Sequence, residues 1–116
     1  ANVERLILQP NNREDELRSW LQEHGFQIIA ESILEEAGKF YEIIVAEAGE
    51  MKLLATDVRF GPFLSKELSP AFIQKWQKEA SKLEFALSQI PEKNPEERQV
   101  LADKIQAIME VLHESK

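Results

Sequence analysis

Ile73, Trp76, Ala80, Leu83, Leu87 and Ile90 follow one another at steps of 3, 4, 3, 4 and 3. Only an α-helix turns residues at that spacing to one side. Alternating threes and fours form the seam of a helix packed along another helix. The segment starts at Ser69-Pro70, with serine as N-cap and proline at the first helical position. Pro91-Glu92-Lys93-Asn94-Pro95 ends it. Asn94 then caps a second helix that Pro95 opens, with Glu96 and Glu97 near its positive end. The second seam is Leu101, Ile105, Ile108 and Leu112. So short a connection makes the two helices antiparallel neighbours. The spacing therefore predicts an antiparallel coiled-coil helical hairpin with arms of about 30 Å, at 1.5 Å per residue. Trp76 falls in the seam and reads as core rather than as a base-stacking platform.

The first half has a different period. Leu6-Ile7-Leu8 is a short continuous apolar run, the pattern of a strand covered on both faces as in a parallel sheet. Pro10 stops it, because proline has no N–H for a ladder. Asn12, with Asp15 three residues on, predicts a helix cap. Leu17, Trp20 and Leu21 fit the helix, and Gly25 ends it. Phe26–Leu34 and Lys39–Glu47 read as an antiparallel hairpin turning at Glu35-Glu36-Ala37-Gly38. The order is strand, helix, strand, strand. This unit cannot cover both faces and both edges of its own sheet, so an upstream segment or another chain must do so. Residues 50–68 read as a connector in which Phe60-Gly61-Pro62-Phe63-Leu64 docks on a core.

The net charge of −7 is unevenly spread. Residues 1–50 carry eleven acids against four bases, whereas residues 51–116 are neutral. An acidic chain contacts nucleic acid only through a local basic patch, and the second half is where that is expected. There is no cysteine, which excludes disulfides, thiolate metal sites and cysteine catalysis and fits a cytoplasmic protein. No apolar run approaches the roughly 20 residues of a membrane span, and no leader-like segment opens the chain.

Chemistry-bearing motifs are few. Gly25, Gly38, Gly49 and Gly61 form no cluster after a strand, so no nucleoside-binding loop is expected. His24 and His113 sit at helix ends without a ligand-like partner four residues away. No serine lies in a nucleophile motif. Gln9-Pro10-Asn11 is the best local candidate, because it follows the carboxyl end of a strand, where open α/β sheets bind ligands. Its amides can donate and accept, which suits reading a base edge. The alternative is that Asn11 and Asn12 only cap the helix while Gln9 faces solvent. Lys75, Lys78 and Lys82 share one helix face, with Arg59 and Lys66 nearby in sequence. They suit phosphates, or else form a solvated face partly paired with Glu79.

The run Arg5-Leu6-Ile7-Leu8-Gln9-Pro10-Asn11, the helix with Leu17, Arg18, Trp20 and Leu21, and His24-Gly25-Phe26 together resemble the bacterial tRNA (adenine-22-N1)-methyltransferase family. The likeness continues through Glu31, Gly38-Lys39-Phe40-Tyr41-Glu42-Ile43, Phe60-Gly61-Pro62-Phe63-Leu64 and the closing helices with Trp76. It implies an α/β piece followed by an all-α piece. Residues 1–49 would be the C-terminal end of a Rossmann-like class I methyltransferase sheet: its fifth strand, next helix and final hairpin. Residues 50–116 would be the connector and coiled-coil domain.

The resemblance also implies methyl transfer from S-adenosylmethionine to N1 of a tRNA adenine. The cofactor motifs of the family lie upstream of anything in this chain, which would be the C-terminal part of a longer enzyme and inactive alone. Gln9, Pro10 and Asn11 would wall the target-base pocket. Arg59, Lys66, Lys75, Lys78 and Lys82 would hold tRNA. The other expected partners are the missing N-terminal half and, through the open strand edge, a second copy. A competing reading is a non-catalytic hairpin that binds a protein through an outer apolar stripe of Phe72, Phe85 and Val100.

Overall fold

The computed structural model describes residues 5–113. Strand β1 (Leu6–Leu8) and helix α1 (Glu14–Glu23) precede a long hairpin of β2 (Phe26–Glu36) and β3 (Lys39–Ala48). Two short helices, α2 (Ala55–Phe60) and α3 (Leu64–Glu67), lead into two long ones, α4 (Pro70–Ser88) and α5 (Pro95–His113). The architecture is mixed α/β, with a three-stranded antiparallel sheet in the order β1-β3-β2.

The last strand thus lies between the other two. β3 pairs with β1 through Leu6↔Ala46, Ile7↔Val45 and Leu8↔Ile44. Its inner face carries Glu42, Ile44 and Ala46, all buried, as period-two alternation requires. Ile44, Ala46 and Ile28 pack on Leu21 of α1, with Leu17, Phe26, Met51 and Leu53 around them. The outer face has no such cover among the described residues. Ile7 is 71% exposed there and Leu34 42%. Within the described residues β1 is covered on one face only and paired, antiparallel, along one edge, so its second face and other edge are not covered by this chain, as the sequence leads one to expect.

Three local details depart from the sequence reading. Asn12 does not cap α1; Arg13 occupies the cap position in the left-handed conformation, with φ of 60°, and no side chain caps the first turn. Glu14, Asp15 and Glu16 there face the positive end of the helix dipole instead. The hairpin turn is tighter than four residues. The strands run to Glu36 and from Lys39, leaving Ala37 (φ 53°) and Gly38 (φ 80°) as a two-residue turn with both φ positive. The connector, finally, is largely helical. Asp57 Oδ2 accepts the Leu54 N–H at 3.0 Å at the start of α2.

The long helices begin where expected. Ser69 Oγ accepts the Phe72 N–H at 3.4 Å, and Pro70 is the first residue of α4. Pro95 is the first residue of α5. A second core joins Phe60, Leu64, Phe72, Trp76 and Ala80 to Ile108 and Val111. At the opposite end, Arg98 donates to the carbonyls of Leu87 (3.1 Å) and Ile90 (2.7 Å). The start of α4 thus meets the end of α5, and the helices run antiparallel. Phe60 and Leu64 anchor the Phe-Gly-Pro element in this core, as docking of the connector requires. Trp76 is buried, edge-on to Phe60 with centroids 4.6 Å apart.

Candidate nucleic-acid interface

A buried cluster of charges lies beneath the site. Arg18, on α1, has no solvent exposure. Its Nε donates to Glu31 Oε2 at 2.8 Å, one terminal nitrogen to Glu42 Oε1 at 2.7 Å, and the other to the Val58 carbonyl at 3.2 Å. Both carboxylate side chains are also fully buried. The second oxygen of Glu31 accepts the N–H groups of Phe63 (2.9 Å) and Leu64 (3.2 Å). The second oxygen of Glu42 accepts from Lys75 of α4, whose ammonium also lies 3.8 Å from Glu14. Two cations and two anions are thus satisfied together, the condition under which buried charge is tolerated. Burial alone would lower the Arg18 pKa; the facing Glu31 and Glu42 outweigh it, and the group is held above its usual value.

Sequence alternation alone does not put Glu31 in that cluster. Ile28 faces inward, so strict alternation would turn Glu31, three residues on, outward. A bulge between Ile28 and Ala30 shifts the register, pairing Ile28 with Ala46 but Ala30 with Val45. By leaving Ile29 unpaired, the bulge keeps Glu31 on the inner face, opposite buried Ile44. Gly61 completes the arrangement. With φ of 98°, it passes so close that a Cβ there would lie 2.7 Å from Glu31 and 2.8 Å from Arg18.

Above Lys75 opens a cleft of about 350 Å³ between the β2–β3 turn and α4. It is lined by Asn11, Lys39, Phe40, Tyr41 and the α4 residues Lys75, Lys78, Glu79 and Lys82, with Gly38 at the turn. Continuing the β1–β3 register from Leu8↔Ile44 brings Asn11 level with Tyr41, which is why the end of β1 meets the start of β3 here. Lys78 donates to the Gly38 carbonyl at 3.3 Å and ties the turn to α4. Four lysines against one glutamate make this a basic spot on an acidic chain.

Asn11, Lys75, Lys78 and Lys82, singled out from the sequence, are brought together in this cleft. Gln9, two residues before Asn11, is exposed and Pro10, one before it, is half-buried in the same loop. Arg59 and Lys66 lie elsewhere. The Arg59 guanidinium sits 4.8 Å over Phe60 and 5.4 Å over Trp76 and donates to the Lys104 carbonyl at 3.2 Å. Burial lowers its pKa, against the pull of Glu79 and Asp15. Lys66 lines a separate cavity of about 500 Å³ with Asp57, Ser65 and Glu110. Lys82 is 3.8 Å from Glu79.

Sequence reasoning does not reach Lys39 and Phe40 as cleft residues, because they read only as the start of the second hairpin strand. It also missed the role of Glu42, though a glutamate in phase with Ile44 and Ala46 was a visible sign of a buried partner. The outer apolar stripe of the competing reading is corrected: Phe72 is fully buried, leaving only Phe85 and Val100 exposed. His24 behaves as an ordinary helix-end residue, its Nδ1 2.8 Å from the Trp20 carbonyl and its ring stacked on Trp20.

Compared with known proteins, residues 1–110 match the family model described as TrmK, tRNA (adenine(22)-N(1))-methyltransferase. The chain belongs to the TrmK family. A Bacillus subtilis (strain 168) member, named tRNA (adenine(22)-N(1))-methyltransferase, is 38% identical over 120 residues. That match covers 94% of this chain and 50% of the relative. A Streptococcus pneumoniae protein, described as a candidate tRNA (m1A22) methyltransferase, is 85% identical with a TM-score of 0.96. It is matched over 97% of this chain and 51% of its own length. A second structure of it, in complex with S-adenosyl-L-methionine, has a TM-score of 0.88 at 80% identity, covering 97% of this chain and 49% of that one. A Streptococcus agalactiae protein of the NADB-Rossmann superfamily is 54% identical with a TM-score of 0.89, covering 95% and 48%. The chain therefore spans about half the length of the TrmK relatives it matches, and the structures it superposes on include one of the NADB-Rossmann superfamily.

Proposed function

We propose that this chain is the C-terminal part of an S-adenosylmethionine-dependent tRNA methyltransferase that methylates N1 of adenine 22. The observation that carries the reading is the opening of the β1 carboxyl end, at Asn11, onto the basic cleft of α4. Residues 1–49 are the end of the catalytic domain, and residues 50–116 the connector and a coiled-coil hairpin that leads tRNA to it. The N-terminal half of the protein covers the outer sheet face and the free edge of β1, where Ile7 stands exposed. In its absence the same edge promotes self-association. No helix among the described residues is long and apolar enough to cross a membrane.

The described residues do not fit the cofactor on their own. Gly25 ends α1, Gly38 turns the hairpin, Gly49 lies against Gln27 and Gly61 lies over Arg18 and Glu31, so none cradles a nucleoside. S-adenosylmethionine therefore binds mainly in the N-terminal half. What this chain supplies is substrate alignment. Adenine N1 carries a lone pair and no proton, so its attack demands orientation rather than a strong base. Gln9 and Asn11 amides offer both donors and acceptors to the base edge, and Pro10 stiffens the loop between them. The lysines take the backbone, with Lys78 and Lys82 the two on α4 not engaged by Glu42, and Arg59 and Lys66 flank more distant RNA.

Calorimetric titration of S-adenosylmethionine into this chain and into the full-length protein tests the division of labour. Binding by the full-length protein alone is expected; binding by neither rejects the enzyme reading. In full-length protein, Gln9→Ala and Asn11→Ala are expected to slow tRNA methylation. Unchanged rates remove both from the pocket.

A further inference from the structure

We propose that the cleft between the β2–β3 turn and α4 is a nucleotide subsite in which Phe40 stacks on a base and Lys39, Lys78 and Lys82 hold the adjoining phosphates. This rests on the tRNA reading above and adds to it a base contact and a cation from the hairpin. The lysines of the cleft are not equivalent. Lys75 is committed to Glu42 and Glu14. Lys82 has only Glu79, at 3.8 Å on the open surface, an arrangement of little energetic consequence. Lys78 holds a carbonyl and no carboxylate. Lys39 forms no ion pair with any described residue. Within ion-pair distance the three cations share one partly engaged carboxylate, Glu79, while Glu36 and Glu35 stand opposite Lys39 and Phe40 across the hairpin, so Lys78 and Lys82 are the donors most open to a phosphate.

Phe40 gives the ligand its other half. Glu42 points inward to Arg18 and to Lys75 of α4, and alternation turns Phe40, two residues earlier, to that same side. Its ring is half-buried and stacks on no other described aromatic. A flat apolar face flanked by ammonium groups is the composition of a single-stranded nucleotide site, where stacking tolerates any base and cations follow the backbone. A duplex buries its base faces and cannot use such a ring. The position also fits: Asn11 lines the same cleft, so a nucleotide on Phe40 is a close chain neighbour of a base held at the end of β1. The tight turn at Ala37-Gly38 and the Lys78–Gly38 bond fix the platform before RNA arrives.

The test is a double-mutant cycle in the full-length protein. The tRNAs each lack one base, at successive positions flanking the methylated adenine. Phe40→Ala is expected to weaken tRNA binding about tenfold, and Phe40→Tyr to restore it. On one abasic tRNA the Phe40→Ala penalty is expected to vanish, because the base it stacks on is already gone. Phe40→Leu, which keeps apolar bulk without a flat ring, carries the same cycle if the alanine variant does not fold. Lys39→Ala, Lys78→Ala and Lys82→Ala are each expected to reduce the slope of log Kd against log salt by about 0.7. A Phe40 penalty that persists on every abasic tRNA, or no penalty at all, overturns the subsite; so do unchanged salt slopes. If the wild-type protein neither binds nor methylates tRNA, the proposed function falls and the subsite with it. If it methylates normally without coupling to any base, the subsite alone falls.

Discussion

Arg18→Met retains most of the side-chain stem and deletes the guanidinium, leaving two buried carboxylates beside each other. The structure lets the cost be worked through. Lost are charge-assisted bonds to Glu31 at 2.8 Å and Glu42 at 2.7 Å, and a bond to the Val58 carbonyl at 3.2 Å. Removing one member of a buried ion pair costs about 3–5 kcal/mol, because the partner's charge stays behind. Here each partner keeps a donor: Glu31 retains the Phe63 and Leu64 N–H groups, and Glu42 retains Lys75. The loss therefore falls at the low end, about 3 kcal/mol. With a urea dependence of about 2 kcal/mol per molar, the unfolding midpoint drops by about 1.5 M. Tryptophan fluorescence follows the transition, since Trp76 sits in the neighbouring core. Adding Glu31→Gln to Arg18→Met should recover about 1 kcal/mol or more, because the amide oxygen still accepts from α3 without a charge to strand. A midpoint shift below about 0.5 M, or a strictly additive double variant, refutes the network as a source of stability.

Two further substitutions probe the backbone. Gly61→Ala places a Cβ 2.7 Å from Glu31 and 2.8 Å from Arg18 at a φ of 98°, and is expected to cost about 3 kcal/mol in urea unfolding. Ala37→Asn should stabilise by about 0.5–1 kcal/mol by thermal or urea melt, because Ala37 is held at φ 53° in a turn that favours Asn-Gly.

Much of this fold was legible where a residue type has one structural use. Ser69-Pro70 and Asn94-Pro95 mark helix starts, and Pro70 and Pro95 begin α4 and α5. The apolar steps through Trp76 and Ala80 identified the face that packs on α5, and the β-rich runs identified the hairpin. What was hidden depends on partners far along the chain. An arginine on a short amphipathic helix reads as solvent-facing, and only Glu31, Glu42 and the Val58 carbonyl, brought in from three other elements, explain why Arg18 is buried. Asn12 carried a valid capping signal that lost to a left-handed Arg13. The cleft was half legible. The α4 lysines share a helix face and could be grouped by spacing, but Lys39 and Phe40 join them only through the turn that folds the hairpin tip against α4.

The bulge in β2 carries its information as a count rather than as a chemical identity. Ile29 is the residue set aside, so Ile28 and Glu31 both face inward although they are an odd number of residues apart. Deleting Ile29 would smooth the strand into a regular ladder, Ile28↔Ala46 followed by Ala30↔Val45, and leave Glu31 opposite Ile44. Ironing the bulge out with every residue kept would instead turn Glu31 and Ile33 outward, and the α3 amides and the α4 core would lose their partners in one step. A one-residue deletion at the bulge should therefore be better tolerated than its place beside the buried charges suggests. The same arithmetic gives a designer a simple lever, since removing Ile29 straightens β2 without altering any of the side chains that join the sheet to the helices.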